Sequence, residues 1–423
     1  MFLKNIIISN FKAIEEMKLK FQEGFNIIIG DNGVGKTSIL EAISVALGGF
    51  LRGIDGIDSK NFSKDEIRCV SELLGSGSWN ISYAMPIQVD CEVEFDDESY
   101  KWKRRKNTIR AKTTVEPTDI CKKANQFVKD RNVILPLLSY QSVARMWVQK
   151  REKKNNIFKN DDFSRSVGYI DCLSQEANSK LFLNWCKKME QVSWQEEKKI
   201  AEYEAVKKAL AKFMSMMNDG NVTKVFYDKK QEELVYLENN KVLPIKYLSA
   251  GYQSLIWMVL EIAYRMAVLN PDLLEEVTNL TSGIVLIDEI DLHLHPKWQW
   301  KVVEALKETF PKIQFIATTH SPIILASCKN VRVISVDKKM NIDYKSSLYG
   351  VQVNDVLEVY QDSNNMVSEI KNEIKKFYKY IEEEDYNEAK RILNLLSKEL
   401  GDDNPEIVGA KVTLDLESSP LED

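Results

Sequence analysis

Gly30-Asp31-Asn32-Gly33-Val34-Gly35-Lys36-Thr37, followed by Ser38, is the stretch on which the reading of this chain turns. It matches G-x-x-x-x-G-K-[ST] without a departure. The apolar run Phe25-Asn-Ile-Ile-Ile29 precedes it, and Ile39, Leu40, Ile43 and Leu47 follow at helical spacing. A strand, a glycine-rich turn and a helix in that order direct backbone N–H groups and a helix N-terminus at one point, which suits phosphate. Residues 30–38 are therefore expected to cradle ATP, with Lys36 reaching the β and γ phosphates and the Thr37 hydroxyl ligating Mg²⁺. A plain glycine turn before a helix is the blander reading, and the flanking strand and helix weigh against it.

Working outward, residues 284–289 read Ile-Val-Leu-Ile-Asp-Glu, an apolar strand ending in Asp288 and Glu289. Strands of an open parallel sheet present ligands at their carboxyl ends, so both acids should face the crevice of the phosphate loop. Asp288 is expected to hold Mg²⁺ or its water, and Glu289 to orient and deprotonate the attacking water, which makes the chain an ATP-hydrolysing enzyme. The chain has three histidines, His293, His295 and His320. His320 ends the run Gln314-Phe-Ile-Ala-Thr-Thr319, where a side chain would meet a γ-phosphate. His293 and His295 follow Asp291 and could serve a metal. With no third ligand evident, the preferred reading is a loop closing on a helix begun by Pro296.

Runs of strand and helix character alternate along the chain, which predicts an α/β fold built on a mixed or parallel sheet with flanking helices. Strands are predicted at 3–9, 25–29, 133–140, 223–228, 233–238, 283–288, 313–318 and 331–336, and helices at 36–47, 250–270 and 297–309. An acidic strand (90–95) and a basic one (100–105) form a hairpin within 81–112. Residues 150–220 are rich in Lys, Glu, Ala and Met, and 194–217 have helical periodicity. Residues 365–400 read as two helices. The expected division is 1–150 as an N-terminal ATPase lobe, 151–220 as a helical insertion, 221–345 as a C-terminal lobe, and 346–423 as a helical region with an acidic tail.

Composition sets the outer bounds. The chain is 44% hydrophobic and 29% charged, with no apolar run of about 18 residues, so neither a transmembrane helix nor a membrane partner is expected. Six cysteines without a C-x-x-C pair fit a reducing cytoplasm. Of the net charge of −5, residues 401–423 alone contribute seven acids against one lysine, so bulk charge gives no sign of nucleic-acid binding. One local patch does. Residues 101–112 hold seven bases around Trp102, enough to track a phosphate backbone. The opposing acids Glu92, Glu94 and Asp96 favour the alternative, cross-strand ion pairs on a solvated hairpin.

Leu248-Ser249-Ala250-Gly251-Tyr252-Gln253 opens a helix about 35 residues before the acidic strand. Alone it is a helix cap or an anion cradle. The order of phosphate loop, Gln141 after a strand, Leu-Ser-Ala-Gly, Asp288-Glu289, Asp291 and His320 resembles the ABC-type ATPases of the SMC, RecF and OLD branch. Asn10-Phe11-Lys12, Ile287-Asp-Glu-Ile-Asp-Leu-His-Leu-His-Pro296 and Thr318-Thr-His-Ser-Pro322 are similar to that branch's opening, second acidic motif and switch histidine. The resemblance covers most of residues 1–336.

The resemblance implies a head that hydrolyses ATP only when paired in a homodimer or higher oligomer. Ser249 and Gly251 of one copy would complete the site begun by Lys36 of the other. Gln141 would sense Mg²⁺ and nucleotide, although a polar group ending a strand is the other reading. Ala250-Gly251-Tyr252 stands where the family has Gly-Gly-Gln. More narrowly, Leu135-Pro-Leu-Leu-Ser-Tyr140, Arg145-Met-Trp147, Gly168-Tyr-Ile-Asp-Cys-Leu173 and Trp185 resemble the PtuA ATPases of Septu and retron-linked anti-phage defence systems. That implies a sensor or regulatory subunit working with a separate HNH nuclease of the PtuB kind, and with a retron reverse transcriptase and its msDNA as further candidate partners. A RecF-like repair ATPase that contacts DNA directly is the alternative. An OLD-type nuclease within the chain lacks a D-x-D pair behind an apolar strand after Pro322.

Overall fold

The computed structural model describes residues 1–73, 79–143, 164–174, 179–345, 347–360 and 367–418. The chain divides into two compact units, Met1–Val351 and Gln352–Asp423.

In the first unit, four strands are buried along their whole length: Phe25–Ile29, Leu137–Gln141, Gly283–Ile287 and Ile313–Thr318. Continuous apolar runs of this kind need cover on both faces, and they form the centre of a parallel sheet. The order across the sheet is Ile342–Lys345, Val331–Val336, Phe25–Ile29, Ile313–Thr318, Gly283–Ile287, Leu137–Gln141. Only the pairing of Ile342–Lys345 with its neighbour is antiparallel. The register sets Ile287 beside both Gln141 and Ala317, and Thr318 beside Ile28, so four strands end along one edge. That edge is where residues 30–37, 288–291 and 319–321 emerge.

A second sheet runs Ile14–Lys20, Phe2–Phe11, Ile87–Phe95, Glu98–Lys106, Thr114–Glu116, all antiparallel. Ile87–Phe95 alternates buried and half-buried residues, the pattern of a sheet covered on one face. The cover is the helix Lys36–Leu51: Trp102 Nε1 donates to the Ala46 carbonyl at 2.8 Å. The hairpin turn is Asp96-Asp97, both left-handed with φ of 55° and 58°, as a two-residue turn between twisted strands requires. A three-stranded sheet (Val222–Asp228, Glu233–Glu238, Lys241–Pro244) leads into the 20-residue helix Ala250–Leu269.

Several elements differ from the sequence-based expectation. The strand predicted at 133–140 begins at Leu137, because Pro136 has no N–H for a ladder and Leu135 N donates instead to Asn270 Oδ1. Within the helical stretch 194–217 the helix is Ala201–Met217; residues 194–195 instead end a separate helix, Ser179–Gln195, and Ser193 Oγ donates to the Lys198 carbonyl in the turn between the two. The first unit extends past residue 345, where Ser347 Oγ bonds the Cys328 carbonyl and Gly350 N the Ala326 carbonyl.

In the second unit the two helices read at 365–400 are Ser368–Glu382 and Tyr386–Leu400, and a third, Pro405–Ser418, follows in the stretch read as an acidic tail. They close on Phe377, Ile392, Leu396, Ile407 and Leu414. Among the described residues no helix is long and apolar enough to cross a membrane. The phrase at residues 145–147 and the last five residues of the tail lie outside the described residues.

Candidate functional site

The phosphate loop is shaped by its glycines. Gly30 has φ 151°, and a β-carbon there would lie 2.3 Å from the Val336 carbonyl oxygen. Gly35, at φ 90°, caps the helix that Lys36 begins. Val34 is buried beneath the loop, Asn32 is exposed, Ser38 lies in the first helical turn, and Asp31 pairs with Lys338 at 3.0 Å. Lys36 Nζ folds over the loop and donates to the carbonyls of Gly30 (2.8 Å) and Asp31 (2.9 Å).

Asp288 is buried and draws the site together. Its Oδ1 accepts from Thr37 Oγ1 at 3.2 Å and from Thr318 Oγ1 at 2.7 Å, while Thr318 Oγ1 accepts from Glu289 N at 2.8 Å. Asp288 N donates to the Gln141 carbonyl at 2.8 Å, which fixes Gln141 beside the acidic pair, and Gln141 Nε2 donates to Ser139 Oγ at 2.9 Å. Asp291 Oδ1 accepts from Thr319 Oγ1 at 2.5 Å, tying the acidic loop to the residue before His320.

The electrostatics agree with this convergence. Burial pulls the Lys36 ammonium below the usual lysine range, and the carboxylates of Glu289, Asp288, Asp31 and Asp291 oppose that pull. His320 is likewise lowered, first by loss of water and then by repulsion from Lys36, against Asp291, Glu289 and Asp31. The structure thus brings Lys36, Thr37, Gln141, Asp288, Glu289 and His320 to one sheet edge. Thr37 Oγ1 and Asp288 Oδ1 lie 3.2 Å apart, two oxygen ligands of the kind a hard divalent cation such as Mg²⁺ takes. Among the described residues Lys36 Nζ hydrogen-bonds two backbone carbonyls, acceptors that a phosphate replaces. The residues present fit ATP with Mg²⁺.

Ser249 and Gly251 start a different element. Ser249 is exposed at the N-terminus of Ala250–Leu269, and its side chain makes no capping bond. Gly251 lies against the acidic loop: a β-carbon there would fall 2.2 Å from the His293 carbonyl oxygen. His295 caps Pro296–Gln299, its Nδ1 accepting from Lys297 N at 3.2 Å. Thr318 was not singled out by sequence reasoning, although it bonds both Asp288 and Glu289. Its only signal was its place ahead of Thr319 and His320, where a threonine reads as an ordinary strand residue.

The basic strand is less available than its sequence suggests. Trp102 and Arg104 are buried, and Lys106 Nζ donates to the Phe62 carbonyl at 3.4 Å. Lys101 pairs with Glu92 at 3.4 Å and Lys103 with Glu116 at 3.2 Å. Trp102 cannot stack on a base from inside the protein. Tyr169, in one phrase of the narrower resemblance, is also a core residue, its hydroxyl bonded to the Pro136 carbonyl at 2.8 Å.

Strand order and site together define a P-loop ATPase head, with a mixed sheet between flanking helices. The chain belongs to the AAA domain family, whose model matches residues 5–239, and a second AAA-domain model matches residues 231–326. It is an ATPase of that family. It is 28% identical to "Retron Vc95 probable ATPase" of Vibrio cholerae serotype O1 biovar El Tor, over 92% of this chain and 86% of that protein. It is 25% identical to "Septu protein PtuA" of Bacillus thuringiensis, over 85% of this chain and 83% of that one. Among solved structures it is similar to the SMC head domain from Thermotoga maritima, with a TM-score of 0.46 and 15% identity, covering 79% of this chain and 95% of that one.

Proposed function

We propose that the chain hydrolyses ATP with Glu289 as general base, in sites shared between two copies, as the regulatory subunit of an anti-phage defence complex. The observation that carries the chemistry is the meeting of Thr37, Thr318 and Asp288, with Glu289 the next residue. When bound, Mg²⁺ supplies neutralisation of charge on the β and γ phosphates. Lys36 exchanges its carbonyl partners for phosphate oxygens. Glu289 takes the proton of the attacking water on a carboxylate oxygen. His320, neutral at pH 7, donates a hydrogen bond to a γ-phosphate oxygen. Ser249 of the second copy, with its hydroxyl uncommitted to capping, completes the cradle.

The likeness to the retron ATPase and to PtuA over most of the chain supports the defence reading and, with it, a separate HNH-type nuclease partner. The burial of Trp102 and Arg104 and the pairing of Lys101 and Lys103 favour that reading over a repair ATPase gripping DNA by this hairpin. The helical C-terminal unit favours a nuclease outside the chain.

Glu289→Gln tests both halves. The amide keeps the shape of the side chain but accepts no proton, so ATP affinity is expected to persist while turnover falls about 10²–10⁴-fold. Expressed with the products of neighbouring genes, the same variant is expected to retain a small HNH protein through purification. Wild-type turnover would move the base to another residue, and DNA alone as the retained partner would favour the repair reading.

A further inference from the structure

We infer that Tyr252 and Trp298 are positioning residues for Glu289, acting through the loop that carries it. The inference rests on Glu289 being the base.

The strand Gly283–Ile287 and the helix Pro296–Gln299 are joined by residues 288–295. Two residues with full side chains in this loop are left-handed, Glu289 at φ 49° and His293 at φ 57°. Such backbone persists where its surroundings over-determine it. On the strand side the fixation is polar: Glu289 N bonds Thr318 Oγ1, Ile290 N bonds the Thr318 carbonyl at 3.0 Å, and Asp291 is held by Thr319. Those bonds fix residues 289–291, and a second grip acts at His293.

The start of Ala250–Leu269 supplies that second grip. Gly251 lies directly on the His293 carbonyl, close enough that no β-carbon fits. The next residue, Tyr252, is fully buried, and its ring stacks on Trp298 at 4.6 Å between centroids and 24° between planes. Its hydroxyl accepts from Asn218 Nδ2 at 3.1 Å, which fixes the ring from its far end. Trp298 N in turn bonds the His295 carbonyl at 2.8 Å, and Gln299 Nε2 the Leu294 carbonyl at 2.9 Å, so the helix carrying Trp298 grips the end of the loop. Gln299 Oε1 also accepts from Ser321 Oγ at 2.5 Å, one residue beyond His320. The stack therefore joins the helix start to the far end of the loop that begins at Asp288-Glu289, and to the His320 segment. A glutamine at position 252, as in the related signature, has no ring to make this joint.

A displacement of about 1 Å in a catalytic group costs up to about 100-fold in rate. Tyr252→Ala and Trp298→Ala are expected to lower kcat about 10–100-fold, with KM for ATP and affinity for a non-hydrolysable ATP analogue changed less than twofold. Tyr252→Phe and Trp298→Phe keep a ring on each side and are expected to restore most of the rate. Val93→Ala, a core change in the antiparallel sheet, serves as a destabilised control and is expected to keep wild-type kcat. Wild-type kcat in both alanine variants, or a rate loss that only follows lost nucleotide affinity, overturns the inference. If Tyr252→Ala does not fold, Trp298→Ala, at a half-buried position, decides alone. Failure of the underlying base assignment shows separately, as unimpaired turnover in Glu289→Gln.

Discussion

At position 320 loss of water around part of the ring, and then repulsion from the Lys36 ammonium, hold the imidazole below the ordinary histidine value. With only three histidines in the chain, its side-chain resonance can be followed by NMR. In the nucleotide-free protein the His320 midpoint is expected below 6.5, and Lys36→Ala is expected to move it upward by removing the second cause. The sign for stability follows. A depressed folded-state pKa gives a contribution present above the unfolded value and lost as pH falls through the folded one. An unchanged midpoint in Lys36→Ala would place the two groups apart. Lys36, Asp288, Glu289 and His320 were legible in sequence because their chemistry is rare at such spacing. Thr318 was not, since only the register of Ile313–Thr318 against its neighbours brings its hydroxyl to Asp288.

The strand Glu98–Lys106 shows what an element hides. Its sequence displays a run of bases, but the two-residue period turns Trp102, Arg104 and Lys106 inward and leaves Lys101 and Lys103 outside. Arg104, fully buried, donates to Ser59 Oγ (3.0 Å), the Lys60 carbonyl (3.1 Å), Asn61 Oδ1 (2.6 Å) and the Val45 carbonyl (3.4 Å), and burial lowers its pKa to about 10. Arg104→Ala strands those acceptors and opens a cavity, so a loss of about 2–4 kcal/mol is expected in chemical denaturation. A loss under about 0.5 kcal/mol would show that water satisfies the same groups. The alternation was readable in the sequence. Which face was buried depended on the helix Lys36–Leu51 packing over it, a contact no local pattern encodes. The helix Pro405–Ser418 was missed for the opposite reason: Ile407, Ala410 and Leu414 keep helical spacing, but the surrounding acids read as a solvated tail.

For the whole molecule, the parallel sheet was the most legible feature, because its four central strands are mostly apolar and buried along their whole length. The phosphate loop, Asp288 and Glu289 stand at one end of that sheet, whereas Ser249 begins a separate helix with its hydroxyl exposed and uncommitted to capping. The shared-site account assigns that hydroxyl to the nucleotide of a second copy. A subunit-mixing assay of ATP turnover tests this most directly. Ser249→Arg puts a bulky cation at the signature turn and leaves its own phosphate loop intact. Lys36→Ala empties the loop and leaves the turn intact, removing a charge-assisted contact of about 1.5–3 kcal/mol. Each variant alone is expected to be inactive, since every site in its homodimer lacks one half. Mixed, each heterodimer contains one site built from an intact Lys36 and an intact Ser249. Turnover is then expected to return, up to half the wild-type rate, together with ATP-dependent pairing by size. Persistent inactivity of the mixture, with no ATP-dependent pairing, would contradict the shared site and leave residues 248–253 as a helix cap.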